Sequence, residues 1–483
     1  MNILQACDNP ELFEPWFRGK RDSFGAWFVF LAALFGLAMT DEQFAVYQNH
    51  TGRQERPTRA VNEAWLVIGR RGGKSFVSAL VAVFLACFFD YRPYLAPGER
   101  GTIMVIAADK KQARVILRYI AAMLNGIDML KDMKARETAT GFDLDNDVTI
   151  EIGTASFRSS RGYTYVAVLA DEIAFWRTED SAEPDFEILS AIRPGMATIP
   201  NAMLLCMSSP YARKGALWDA FRRFYGKDGA PLVWKATTRE MNPSIPQSYV
   251  DSALERDHAS ASAEYMAEFR SDIEAFVSRE VVETCVTPGV FERPFVRGVK
   301  YRAFVDPSGG SNDSFTLAIA HREGDQIVHD LTRERKPPFS PEATVAEFCR
   351  TLKDYGITEV TGDRYGGEWP REQFRKHGIG YRLSDKPRTD LYLELLPTLN
   401  SQKVDLLDHP VMVNQIVGLE RRVSRGGKES IDHAPGGHDD IANSLAGAIW
   451  LCAEVKKAPT AVFGTYSTPR PGHSTNFHST TRR

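Results

Sequence analysis

Gly69-Arg70-Arg71-Gly72-Gly73-Lys74-Ser75 is the stretch on which the reading of this chain turns. It follows a strand-like apolar run, Ala64–Ile68, and precedes a helix-like one, Phe76–Phe89. A phosphate-binding loop requires that context. Glycines let backbone N–H groups approach phosphate oxygens, and a helix N-terminus adds a favourable dipole. In this reading Gly69, Arg70, Gly72, Gly73, Lys74 and Ser75 cradle ATP. Lys74 reaches the β- and γ-phosphates and Ser75 holds Mg²⁺. The strict pattern puts its first glycine one position earlier, where this chain has Ile68, so the loop is a deviant form. The bland alternative is a glycine-rich turn with a solvated lysine.

Downstream, Val166–Ala170 is an apolar strand that runs into Asp171-Glu172. Asp171 is placed to serve Mg²⁺, and Glu172 to polarise the attacking water in line with the γ-phosphate. Any strand can end in acidic turn residues; the upstream loop is what gives this pair its meaning. Arg158 and Arg161, just before that strand, are candidate arginine fingers, or else surface or DNA-contacting residues. Ser208 and Ser209 end another apolar run and could sense loss of the γ-phosphate, or could form an ordinary turn before Pro210. Gln43 could read the adenine edge or be a solvated helix residue. Ala64–Ile68, Thr102–Ala107, Val148–Ile152, Tyr165–Ala170 and Ala202–Met207 alternate with helical stretches. That alternation predicts an α/β fold: a mostly parallel sheet with helices on both faces.

A second α/β block starts at Lys300. Tyr301–Val305, Phe315–Ala320 and Gln326–Leu331 read as an antiparallel meander. A helix over 341–355, a strand over 359–361 and a closing helix from Asp439 follow. Asp306 and Asp363 end strands, Asp313 precedes one, and Asp439-Asp440 open the last helix. Converging carboxylates are hard ligands for Mg²⁺ or Mn²⁺. Two such ions about 4 Å apart cleave phosphodiesters by activating water and stabilising the leaving oxygen. The order strand-Asp, hairpin, strand-Asp, helix-Asp matches a ribonuclease-H-like nuclease. Asp306, Asp363 and Asp440 are the candidate catalytic acids, and Asp306, Asp363, Asp439, Asp440 and Asp313 the candidate metal ligands. His438 is either a base or a turn residue, the latter favoured.

Composition sets the frame. Of 483 residues 43% are hydrophobic and 25% charged, which excludes disordered, collagen-like and disulfide-scaffold chains. The formal net charge of −3 leaves nucleic-acid contact to local patches. Candidates are Arg222, Arg223, Lys227, Arg421, Arg422, Arg425 and Lys428, or these are merely solvated faces. The six scattered cysteines fit a reducing compartment. The apolar runs at 26–39 and 76–89 fall short of the roughly 20 residues of a membrane span, so no membrane is expected. The expected parts are a helical lead-in (1–60), an ATPase domain (61–270, with a helical pattern over Ser248–Ile273), a linker (271–299), a nuclease domain (300–455) and a flexible tail (456–483).

Together these pieces resemble the large terminase subunit of tailed bacteriophages over about residues 40–455. Gly69–Ser75 is similar to that family's deviant P-loop, Leu169–Glu172 to its hydrophobic-Asp-Glu motif, and Met207-Ser208-Ser209 to its coupling motif, with Met207 a departure. Asp306, Asp363 and Asp439-Asp440 resemble its nuclease triad, and Asp313 an accessory ligand seen in some members. The resemblance implies an additional-strand P-loop ATPase joined to a ribonuclease-H-like nuclease. It implies ATP and Mg²⁺ as cofactors, with Mn²⁺ an option at the nuclease. Implied partners are double-stranded DNA, a portal, a small terminase subunit and further copies in a ring. The setting would be the host cytoplasm, docked on the procapsid portal during packaging. The rival readings are another P-loop translocase or helicase fused to a nuclease, a non-enzymatic DNA-binding or assembly protein, and a transposase-like enzyme.

Overall fold

The computed structural model describes residues 1–17, 19–155, 162–178, 181, 183–229, 231–311, 313–363, 368–423 and 429–454. The apolar runs of the first half become an eight-stranded sheet: β1 (Glu63–Ile68), β2 (Gly101–Ala107), β3 (Lys134–Glu137), β4 (Gly141–Leu144), β5 (Val148–Thr154), β6 (Thr164–Asp171), β7 (Met203–Ser208) and β8 (Leu232–Ala236). The order is β3-β4-β5-β2-β6-β7-β1-β8. β5 through β8 in that order are mutually parallel, while β3 and β4 add an antiparallel edge.

The central strands are apolar at nearly every position because both faces are covered. Leu66, Ile68, Leu169 and Leu205 share one core with the helix Lys74–Phe88. Trp65, Val67, Val168 and Leu204 point the other way, towards the helices Pro184–Met196 and Gly215–Phe224. β7 lies between β1 and β6, so an additional strand separates the phosphate-loop strand from the Asp-Glu strand. The lead-in forms short helices whose Phe17, Trp27 and Phe30 are buried in the first of these cores.

Two expectations fail in the middle of the chain. The helix over 248–273 is broken into Gln247–Arg256 and His258–Met266. Asp257 interrupts it, its side chain accepting from Ser260 N to cap the second helix. Nor is 271–299 simply a linker. It holds β9 (Ile273–Ala275), and Phe276, Val277, Val282 and Cys285 are buried in the second block's core.

The second block contains β10 (Tyr301–Asp306), β11 (Phe315–Glu323), β12 (Gln326–Arg335), β13 (Glu359–Gly362), β14 (Gly380–Leu383) and β15 (Val404–Asp405) in the order β14-β13-β10-β11-β12-β15. β10, β11 and β12 are the expected antiparallel meander; β13 and β14 run parallel to β10. This is the ribonuclease-H-like order. β16 (Leu419–Val423) pairs antiparallel with β17 (Glu429–His433) and with β9. Among the described residues no helix is long and apolar enough to cross a membrane.

The closing helix Asp440–Ala453 packs over β10 and β11 at close range. A Cβ on Gly447 would lie 2.2 Å from the Phe304 ring. Phe304 is itself fully buried. Alanine in a helix interior is favoured over glycine by about 0.8–1 kcal/mol. Overpacking a close-packed core costs about 1–3 kcal/mol, so the clash decides the sign here. Gly447→Ala should therefore lower stability in urea denaturation. An unchanged or raised midpoint would contradict this packing.

Candidate active sites

The loop after β1, the Asp-Glu pair at the end of β6 and the serines at the end of β7 meet at the carboxyl edge of the parallel sheet, where ligands of such sheets bind. Gly73, with φ 95°, turns the chain into the helix Lys74–Phe88. Gly69 permits a close approach: a Cβ there would lie 2.4 Å from Thr238 Oγ1. Three loop carbonyls are held by side chains from remote elements. Trp27 Nε1 donates to Gly72 O (2.8 Å), Thr238 Oγ1 to Arg70 O (2.7 Å) and Asn242 Nδ2 to Arg71 O (2.9 Å). Sequence reading missed all three, since nothing near the motif marks them. The Arg70 guanidinium pairs with Glu264 (3.1 Å).

Lys74 is buried, donating to Ile68 O (3.1 Å) and lying 3.3 Å from Glu172 Oε1. The other oxygen of Glu172, Oε2, accepts from Ser208 Oγ (2.9 Å) and Ser209 N (3.2 Å). Glu172 is in the left-handed region at φ 48°, a conformation that is uncommon for a non-glycine residue. Trp176 Nε1 donates to Asp171 O (2.9 Å) and holds that turn. Burial, with the Glu172 charge beside it, pushes the Asp171 carboxyl up to about 7, against the pull of Lys74. Its Oδ1 is buried without a hydrogen-bond partner among the described residues. An orphaned carboxylate oxygen fits a cation brought in with nucleotide. Ser75 is half-buried at the start of the helix. Gln43 Oε1 instead accepts from Thr40 N and closes a helix capping box. Arg158 and Arg161 lie outside the described residues.

At the second centre, β10 and β13 are adjacent and parallel, so Asp306 and Asp363 end side by side. With Asp313, Asp440, His438 and Ser308 they line a cavity of about 180 Å³. Asp306 Oδ2 accepts from Asn443 Nδ2 (2.8 Å), one turn beyond Asp440 on the closing helix. That one-turn spacing is a signal the sequence carries, though Asn443 was not among the expected site residues. Burial raises the Asp306 carboxyl well above the ordinary range, against the Asn443 hydrogen bond, and the charges of Asp440, Asp363 and Asp439 add to the rise. Burial and the Asp439 and Asp313 charges push Asp440 up to about 6. Asp440 Oδ2 is buried without a hydrogen-bond partner among the described residues, and His438 Nδ1 is 3.9 Å away. Crowded carboxylates with an orphaned oxygen fit divalent ions. Asp439 differs from its neighbour: Oδ1 accepts from Arg388 (3.0 Å) and Oδ2 from Tyr392 (2.8 Å).

The two centres are tied together through the chain that leaves β7. Tyr211 OH donates to Glu420 Oε2 (2.6 Å), and Lys214 Nζ lies 2.6 Å from Glu420 Oε1. Glu420, on β16, is fully buried. Burial alone would favour its neutral form, but Lys214, Tyr211 and Arg422 hold its pKa below the ordinary value. Arg422 is thus an internal strut, bonded to Glu420 and His433 O, rather than a free basic residue. Arg222 and Arg223 both pair with Asp219, and Arg421 pairs with Glu429. Arg425 and Lys428 lie outside the described residues, as does the stretch 456–483.

Residues 37–267 match a family model described as "Uncharacterized protein MJ0330, N-terminal P-loop domain". No curated protein matches the chain. Among solved structures the chain is similar to the large terminase of bacteriophage HK97, at 17% identity over 80% of this chain and 91% of that one, with a TM-score of 0.36. It is also similar to the large terminase of a thermophilic bacteriophage, at 11% identity over 80% of this chain and 94% of that one, with a TM-score of 0.35. The large terminase nuclease of the thermophilic phage G20c with bound magnesium matches at 18% identity over 36% of this chain and 97% of that one, with a TM-score of 0.32.

The crowding of acids has a measurable consequence. The Asp440 carboxyl stands at about 6 against an ordinary 3.8. A raised carboxyl means that the folded chain binds the proton more tightly than the unfolded chain. Its contribution to stability is full below the ordinary value and is lost as pH rises through about 6. At 1.36 kcal/mol per unit, the loss is at most about 3 kcal/mol. In EDTA, urea denaturation should show the parent losing stability between pH 4 and pH 7 relative to Asp440→Asn. Parallel pH curves for the two proteins would contradict the assignment.

Proposed function

We propose that the chain is the large terminase subunit of a tailed phage. It hydrolyses ATP to drive double-stranded DNA into a procapsid, and it cuts the concatemer with divalent ions. The observation that carries this reading is the pairing, in one chain, of a phosphate loop facing Asp171-Glu172 with an acid cavity on a ribonuclease-H-like sheet. The portal, a small terminase subunit and further copies in a ring are the partners that follow from it, as does a working place in the host cytoplasm on the procapsid portal.

At the first centre Lys74 and the loop amides hold the phosphates, with Ser75 and Asp171 as the residues that would hold Mg²⁺. Glu172 now shares one oxygen with Lys74 and the other with Ser208. Taking a proton from water requires only one free oxygen, and phosphates that drew Lys74 away would release Oε1 for it. Ser208 and Ser209 register the change, and Tyr211 and Lys214 carry it to Glu420 in the other block. At the second centre Asp306, Asp363 and Asp440, with Asp313 beside them, would hold divalent ions that supply an activated water and stabilise the leaving oxygen. Asn443 orients Asp306. Grip on DNA goes to phosphates, so it is sequence-tolerant and weakens with salt.

Purified variants separate the two chemistries. Lys74→Ala and Glu172→Gln should lower DNA-stimulated ATP turnover by about 10²-fold or more and leave Mn²⁺-dependent plasmid cutting intact. Asp306→Asn and Asp363→Asn should do the reverse. An Asp363→Asn protein that cuts like the parent would show that the acid cavity is not the nuclease centre.

A further inference from the structure

The acid cavity contains a cation that the roles above do not use. Among the described residues, Arg388 is the only lysine or arginine that lines it. Arg388 opens the helix Arg388–Asn400. Its Nη1 donates to Asp439 Oδ1 (3.0 Å) and its Nη2 to Asp432 Oδ1 (2.9 Å). These two carboxylates hold the guanidinium at both of its terminal nitrogens. They use two of the five N–H groups that an arginine offers. Asp439 is 4% exposed at its side chain, whereas Arg388 is 37% exposed. Asp432 is 36% exposed, so the arginine sits between one buried and one half-exposed acid, at the wall of the cavity it lines. Asp439 does not depend on it alone, because Tyr392 OH holds the other oxygen. The ordering therefore runs from the acids to the arginine. A planar fork so held matches two oxygens of a phosphate, and a lysine in its place could not reproduce that geometry.

We infer that Arg388 is a substrate-contacting residue that binds a backbone phosphate of the DNA strand at the acid cavity, with Asp439 and Asp432 as its positioning residues rather than metal ligands. This rests on reading the cavity as a nuclease centre. Asp439 and Asp440 then divide their labour: the first aims the arginine, and the second keeps its orphaned oxygen for an ion.

The test uses the full chain. Nicking of supercoiled plasmid in Mn²⁺ is followed against DNA concentration, alongside Mn²⁺ binding by calorimetry and binding of a short duplex in Ca²⁺ at several salt concentrations. Arg388→Gln should raise KM for DNA by about tenfold or more, the size expected for losing a charged hydrogen bond. It should also reduce the salt slope of duplex binding by about 0.9, the equivalent of one phosphate contact. Mn²⁺ affinity should stay at the parental value. Arg388→Lys should recover the salt slope but only part of the KM. Asp432→Asn, which leaves the cavity acids intact, should raise KM in the same direction. An unchanged KM and salt slope in Arg388→Gln, or a loss of Mn²⁺ binding in step with cutting, would overturn the inference. If the underlying reading is at fault instead, the parent chain will not cut in Mn²⁺ and Asp363→Asn will change nothing.

Discussion

Carboxylates brought together out of water repel one another and lose their hydration, and both centres of this molecule are built on that strain. Asp171 and Glu172 sit beside each other under a sheet edge with one buried lysine between them and the loop. Asp306, Asp363, Asp440 and Asp313 converge on a single small cavity. Crowding and burial raise several of these carboxyls, which then either hold a proton or gain from positive charge placed among them. The close packing of Gly447 on Phe304 seats the closing helix so that Asp440 and Asn443 come over the ends of β10 and β13.

The blocks share more than a chain. The residues after β7 are bound at one end to Glu172 and at the other to Glu420. Glu420 lies on the strand that pairs with β17, and β17 leads into His433, His438 and the Asp439-Asp440 pair. A buried carboxylate fixed by a lysine, a tyrosine and an arginine is costly to disrupt. The segment after β7 touches both blocks.

Much of this architecture is legible in the sequence. Ala64–Ile68, Thr102–Ala107 and Tyr165–Ala170 are continuous apolar runs, and buried parallel strands have that signature. Asp306 and Asp363 follow such runs, and a parallel pairing of the two strands was enough to place them together. What stayed hidden has one cause: contacts made across long stretches of chain leave no local pattern. Trp27 reaches the loop from 45 residues away, and Tyr211 meets Glu420 from 209 away. Nothing near Arg388 or Tyr392 in the sequence marks either residue; they reach Asp439 from 51 and 47 positions away. β9 has three residues of which only Ile273 is buried, too short for any alternation to show, so its segment read as a linker. Gln43 carries an ambiguous cue, since the same carboxamide that can read a base also closes a capping box.

The central claim is that the acid cavity is completed by divalent ions held by Asp306, Asp363 and Asp440. Anomalous diffraction at the manganese edge, from crystals of the full chain equilibrated with Mn²⁺, tests it most directly. The account predicts manganese peaks bounded by those three carboxylates, with Arg388 still bonded to Asp439. Saturating Mn²⁺ that leaves the three carboxylates bare, or that settles instead among Asp432, His433 and Asp439, would contradict it.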